Sequence, residues 1–124
     1  MQIFLAVAAI LGGLAVAAGA FASHALQSQL SERAIAVFNT GVRYQMYHAL
    51  ALLVVAMLLT TAKQALPWLT AAGWCFVAGV VLFSGSLYFI SLGGIKAFGP
   101  VTPIGGAAFL AGWVCLTIAA FRWA

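Results

Sequence analysis

A chain of 124 residues that is 66% apolar and 5% charged cannot clothe a soluble domain, which ordinarily carries about 25% charged residues. Nine Phe, four Trp and three Tyr exclude intrinsic disorder, which goes with polar, aromatic-poor sequence. The net charge of +4 comes from five basic residues spread singly against one acid; no basic run marks a nucleic-acid partner, and an integral membrane protein remains.

A spanning helix needs about 20 mainly apolar residues. Four stretches supply them, at about 3–22, 43–61, 68–92 and 103–122. They are continuous rather than alternating segments of about 10 residues, so helices are predicted and not membrane strands. The fold class is all-α, a four-transmembrane-helix bundle of up-down-up-down topology, with residues 1–124 as a single membrane domain.

The first span has no charge. Ala18-Gly19-Ala20 and Ala20-Phe21-Ala22 resemble signal-peptide cleavage sites, but Met1-Gln2 supplies no basic side chain, so the span is expected to be kept. Ala8, Gly12, Ala15 and Gly19 recur every three or four residues, a stripe that lets helix backbones approach closely in lipid.

The stretch from Ser23 to Gly41 is half polar. Ser31-Glu32 reads as a helix start, with an acid near the positive end. Leu30, Ala34, Val37 and Phe38 then share a face. This predicts a short amphipathic interfacial helix between helices one and two, broken at Gly41. The alternative is an N-terminal extension of helix two.

Helix two opens with Arg43, Tyr44, Gln45, Tyr47 and His48. Arg43 and Tyr47 share a face, as do Tyr44 and His48. Arg43 offers a planar fork of donors for phosphate or carboxylate. The tyrosines combine an apolar ring with a polar tip suited to the headgroup level. Counted from Gly41, His48 lies about 10 Å in, a depth at which a polar side chain faces protein or a water-filled cleft. Interface anchoring and snorkelling account for Arg43 and the tyrosines, and an interhelical hydrogen bond accounts for His48. A lipid or quinone headgroup site is the rival reading.

Lys63 and Pro67 mark a hairpin into helix three, which carries Ser84, Ser86 and Tyr88 in its last turns. Gly99-Pro100 breaks the chain. Thr102-Pro103 reads as an N-cap followed by proline at the first helical position. Gly73, Gly79 and Gly85 in helix three, and Gly105, Gly106 and Gly112 in helix four, read as packing positions. Trp68 and Trp123 fit one interfacial belt. Cys75 and Cys115 fall at similar depth on antiparallel helices and read as small packing residues.

With His24 after helix one, the polar residues gather toward the end of the bundle that carries loops one and three. His24, Arg43, Tyr44, Gln45, Tyr47, His48, Ser84, Ser86 and Tyr88 form the candidate ligand-binding cluster. Catalytic templates are missing. There is no Asp and one Glu, which excludes paired carboxylates and acidic metal clusters. Two histidines fall short of a four-ligand zinc site, and no Walker or dinucleotide fingerprint is present. A pairing of Ser84 or Ser86 with His48 has no oxyanion loop beside it. No enzyme activity, cofactor or metal is expected.

Four motifs carry a resemblance: Gly19-Ala-Phe-Ala-Ser-His24-Ala-Leu, Thr40-Gly-Val-Arg-Tyr-Gln-Met-Tyr-His48-Ala-Leu, Phe83-Ser-Gly-Ser-Leu-Tyr88 and Val101-Thr-Pro-Ile-Gly-Gly106. Together the chain resembles the YgdD-like, transmembrane-protein-256-like family of small four-helix membrane proteins, a domain of unknown function. Ser23 stands where members often have Gly. The resemblance implies four spans and cytoplasmic termini, and it carries over no catalytic residue.

The function expected is that of a structural or accessory subunit packing against a larger membrane complex or lipid. A lipid- or quinone-headgroup-binding module is the alternative, and a small oligomeric transporter ranks last because intramembrane charges for coupling ions are missing. Expected partners are membrane lipid and a larger membrane protein complex or a homo-oligomer. The expected location is a bacterial inner membrane. The positive-inside rule does not orient the chain, because Arg33, Arg43 and Lys96 on one side balance Lys63, Arg122 and the amino terminus on the other.

Overall fold

The computed structural model describes residues Gln2–Trp123. Four helices account for nearly all of them, and each is long and apolar enough to cross a membrane. Helix α1 covers Gln2–Leu26, α2 Glu32–Leu58 and α3 Leu66–Gly93. Helix α4 covers Val101–Phe121, after a short 3-10 turn at Lys96–Phe98. No strand occurs among the described residues.

Consecutive helices are antiparallel neighbours, as close approaches along them show. Gly12 faces Ala49 and Gly19 faces Val42 between α1 and α2. Gly41 meets Leu87 and Tyr88 between α2 and α3, and Gly79 meets Phe109 while Gly112 meets Phe76 between α3 and α4. The middle pair forms the core: 44% and 39% of the α2 and α3 spans are buried, against 17% and 22% for the flanking α1 and α4 spans. The main apolar cluster joins Phe4, Leu52, Val55, Leu69 and Phe76. Outward faces carry Ile3, Ile10, Leu14, Val54, Val81, Leu110 and Val114, as contact with lipid tails requires.

Local signals set the helix ends. Ser31 caps α2, its hydroxyl accepting from the Ala34 amide at 3.1 Å, which satisfies one of the orphan donors of a first helical turn. Pro67 lies in the first turn of α3, where its missing N–H costs nothing. Gly94 ends α3 in the left-handed region with φ 63°, a conformation that other residues adopt only at a cost. Thr102 is not the cap of α4. The helix begins at Val101 with Pro100 before it, and the Thr102 hydroxyl bonds to Ser86 of α3 instead.

The separate interfacial helix is absent. After α1 a turn covers residues 27–30, and α2 then runs unbroken through Gly41 to Leu58. A glycine in a helix interior costs about 1 kcal/mol, and packing offsets it here. A Cβ on Gly41 would lie 2.9 Å from the Tyr88 ring, and the Gly41 carbonyl accepts from the Ser84 hydroxyl at 2.7 Å. The half-polar stretch is therefore the first turns of α2, with Phe38 buried beside Ala22 and Leu26.

Two π-helical turns interrupt the regular winding, at Ala22–Leu26 in α1 and Val80–Ser84 in α3. Each adds a residue to a turn and rotates the faces of the helix beyond it. The second lies where α3 meets both α2 and α4. There a Cβ on Gly105 would collide with the backbone nitrogen of Phe83, so α3 and α4 approach backbone to backbone.

Candidate functional site

The polar residues singled out in the sequence do not form one cluster; the fold divides them. His48 is the centre of the first group. Its Nε2 is 3.1 Å from Nε1 of Trp113 on α4. An indole nitrogen only donates, so Nε2 accepts and the proton sits on Nδ1. Nδ1 lies 2.8 Å from the Tyr44 carbonyl one turn earlier and donates to it. Both ring nitrogens are thus used by a neutral imidazole. The ring stacks on Phe109, with centroids 3.6 Å apart and planes 9° from parallel, and Phe76 and Trp113 close around it.

The depth of this group corrects the sequence estimate. The count from Gly41 assumed a break there. With α2 starting at Glu32, His48 lies about 24 Å along a helix of about 40 Å, beyond its midpoint rather than near the end at loop one. A polar ring at that depth needs internal partners, and α4 supplies one.

Gln45 is the centre of the second group. Its Nε2 donates to the Leu11 carbonyl of α1 at 2.8 Å, and its Oε1 accepts from the Tyr88 hydroxyl of α3 at 2.6 Å. One side chain at the midpoint of α2 therefore ties three helices together. Tyr88 also packs its ring on Phe38 at 5.0 Å.

Ser84 and Ser86 form the third group, at the α3 crossing. Ser84 donates to the Gly41 carbonyl, which connects α3 to α2. Ser86 donates to the Phe83 carbonyl at 2.8 Å. Having one proton, it accepts from the Thr102 hydroxyl of α4. Neither serine bonds to His48, so no Ser–His dyad forms.

Of the remaining predicted residues, Tyr44 borders the His48 group, its ring 6.3 Å from the imidazole and 6.4 Å from Phe109, and the other three stay outside. Arg43 is exposed, and its Nη2 donates to the Thr40 hydroxyl at 3.3 Å. Tyr47 is exposed and meets only the edge of Tyr44, at 5.6 Å. Tyr44 lays its ring over Phe83 at 4.9 Å. His24 is exposed in the π turn ending α1, and no side-chain hydrogen bond joins it to the other eight residues. Among the described residues, no three His, Cys, Asp or Glu side chains come together to hold a metal ion. Cys75 and Cys115 are free thiols that face each other between α3 and α4.

Sequence reasoning missed Trp113. A signal existed: the residue stands in the middle of its span and not in an interfacial belt, so its N–H needs an acceptor inside the bundle. Missed too was the Leu11 carbonyl, which no side-chain pattern reveals.

A groove of about 620 Å³ opens between α1 and α3, with Leu11, Leu14, Phe21 and Val81 among its walls and Gln45 and Tyr88 beside them. It exists because the two helices meet at one end and part at the other. Phe4 of α1 lies against Gly73 and packs edge-on to Trp74, at 5.1 Å. Toward Phe21 the groove is lined by both helices, with Gln45 of α2 between them.

Residues 18–106 match the family described as Protein of unknown function (DUF423). The chain belongs to this family. Among its relatives is the UPF0382 membrane protein YwdK of Bacillus subtilis, 43% identical over 99% of both chains. UPF0382 membrane proteins of Staphylococcus aureus and Staphylococcus epidermidis are 42% and 40% identical, covering all of this chain and 99% of their own. No solved structure matches the chain. With four apolar spanning helices and relatives named as membrane proteins, this DUF423 protein is an integral membrane protein.

Proposed function

We propose that this DUF423 protein is a non-enzymatic accessory subunit that packs, within a bacterial inner membrane, against a larger membrane complex. One observation carries the reading: among the described residues every buried side-chain nitrogen and oxygen has a hydrogen-bond partner within the bundle. Gln45, His48, Ser84 and Ser86 are spent on joining helices. What faces outward along the spans is mainly apolar, with Arg43, Tyr47 and Thr117 among the polar side chains exposed there. The four sequence motifs support placing the chain with YgdD-like, transmembrane-protein-256-like proteins, and with that kinship the termini are cytoplasmic.

The experiment is purification from the native membrane in mild detergent, then identification of the molecules that remain bound. A membrane protein recovered in fixed stoichiometry, and lost when Leu14 and Val81 are replaced by Trp to fill the α1–α3 groove, supports the reading. A preparation holding only a defined lipid or quinone overturns it. That second reading, a headgroup-binding module, is favoured by Gln45 and Tyr88 lining the groove. It requires that Tyr88→Phe lose the bound molecule while the fold survives.

A further inference from the structure

A second cleft, of about 270 Å³, lies at the end of the bundle that carries loops one and three. Its mouth is formed by Arg33 in the first turn of α2 and Lys96 in the loop after α3. These are two of only five basic residues in the chain. They are far apart in sequence and are brought together by the antiparallel pairing of α2 with α3. Glu32, the only acid, does not line the cleft. Ser31 does, and its hydroxyl accepts from the Ala34 amide, which leaves its own proton available to a further acceptor. Below this polar mouth the walls are mainly apolar, with Ala34, Val37 and Ile90 beside the buried Ser91, whose hydroxyl is taken up by the Tyr88 carbonyl at 3.2 Å.

Depth agrees with that chemistry. Helix α2 is about 40 Å long and the hydrocarbon core about 30 Å thick. Centring the helix on the core puts its first three or four residues at headgroup level. Lys96 comes three residues after the end of α3, at the same level. The cleft thus runs from a doubly cationic mouth in the headgroup layer to mainly apolar walls in the acyl layer.

We propose that this cleft holds an anionic phospholipid. The phosphate lies between Arg33 and Lys96 and accepts from the Ser31 hydroxyl, and the upper acyl chain lies along Val37 and Ile90. A planar guanidinium fork and an ammonium suit phosphate oxygens, and basic clefts between spanning helices hold anionic headgroups for this reason. The site shares no residue with the groups around His48 and Gln45, and it stands or falls independently of the accessory-subunit reading.

The test is native mass spectrometry of the full-length protein in mild detergent, titrated with phosphatidylglycerol, with phosphatidylcholine and with inorganic phosphate. Phosphatidylglycerol should bind one to one. The double variant Arg33→Gln/Lys96→Gln should lose about thirtyfold in affinity, the factor expected for removing two cations near a headgroup. Arg33→Lys/Lys96→Arg should keep most of it. The control Lys63→Gln/Arg122→Gln, with the same change in net charge at the other end of the bundle, should bind like the parent. Circular dichroism identifies a variant that has lost its helices, in which case Lys96→Gln alone serves, with about a fivefold loss expected. Unchanged affinity in the Arg33/Lys96 variant overturns the proposal, as does an equal loss in the control or equal binding of phosphatidylcholine. Displacement of phosphatidylglycerol by millimolar inorganic phosphate also overturns it, since the cleft would then be a free-phosphate site.

Discussion

The indole nitrogen of Trp113 donates to Nε2 of His48 at 3.1 Å, and that bond fixes the histidine as a neutral Nδ1–H tautomer in the middle of a membrane helix. The ring has no lone pair or proton left for a substrate, a metal or a quinone. Its work is to join α2 to α4, which otherwise touch mainly through the stacked Phe109.

A double-mutant cycle measures this bond. His48→Leu and Trp113→Phe should each destabilise the bundle, and the double variant should cost less than their sum. The expected coupling is about 0.6 kcal/mol and no more than about 1.7 kcal/mol, the span of such bonds between membrane helices. Denaturation in mild detergent, monitored by circular dichroism, provides the values. Strict additivity would mean that the two side chains do not interact in the membrane.

The tie at Gln45 predicts an asymmetry. Tyr88→Phe leaves the Gln45 carbonyl oxygen buried without its donor and should cost about 1–3 kcal/mol. Adding Gln45→Leu to Tyr88→Phe removes the orphaned group and should recover part of that loss. If the double variant is less stable than Tyr88→Phe by the full cost of Gln45→Leu alone, Gln45 and Tyr88 are not partners.

Glycine substitutions separate close packing from open surface. Gly105→Ala puts a methyl group into the Phe83 backbone, where no rotamer change relieves the overlap, and should cost about 1–3 kcal/mol. Gly13→Ala and Gly85→Ala meet nothing within 4 Å. They should be neutral or stabilising by up to about 1 kcal/mol, because alanine favours the helix. Thermal unfolding of the three variants in one detergent checks the order.

Topology predicts opposite labelling of two loops. In a background of Cys75→Ala and Cys115→Ala, single cysteines at Ser28 and Thr61 should react from opposite sides of the membrane with an impermeant maleimide. If the termini are cytoplasmic, Ser28 reacts in intact cells and Thr61 only after the membrane is opened. The reverse pattern would invert the proposed orientation without changing the fold.

The sequence by itself determined the four spans and their antiparallel order, though not the start of α2, which lies at Glu32 and not near residue 43. Continuous apolar runs of spanning length admit only helices in lipid, short connections force neighbours to run oppositely, and Ser31, Pro67 and the Gly-rich break before Val101 act through local chemistry. Of the polar residues the sequence singled out, His24, Arg43 and Tyr47 stay exposed; Trp113, the partner of His48, it did not name. Gln45, His48, Ser84, Ser86 and Tyr88 take partners inside the bundle, because an unpaired polar group in hydrocarbon is costly. Which partner each one takes was decided only by the tertiary structure. Gly41 reads locally as a helix breaker, yet the Tyr88 ring and the Ser84 hydroxyl from 43 residues away hold α2 continuous through it. That continuity moves His48 past the middle of α2 and toward Trp113. The π turn at Val80–Ser84 rotates Ser84 and Ser86 toward different helices. The Leu11 carbonyl that receives Gln45 belongs to backbone, on which side-chain pattern is silent. Helix formation depends on residues within a turn or two, so it can be read along the chain. Hydrogen-bond pairing between helices depends on their rotation and relative height, which the packing of the whole bundle sets.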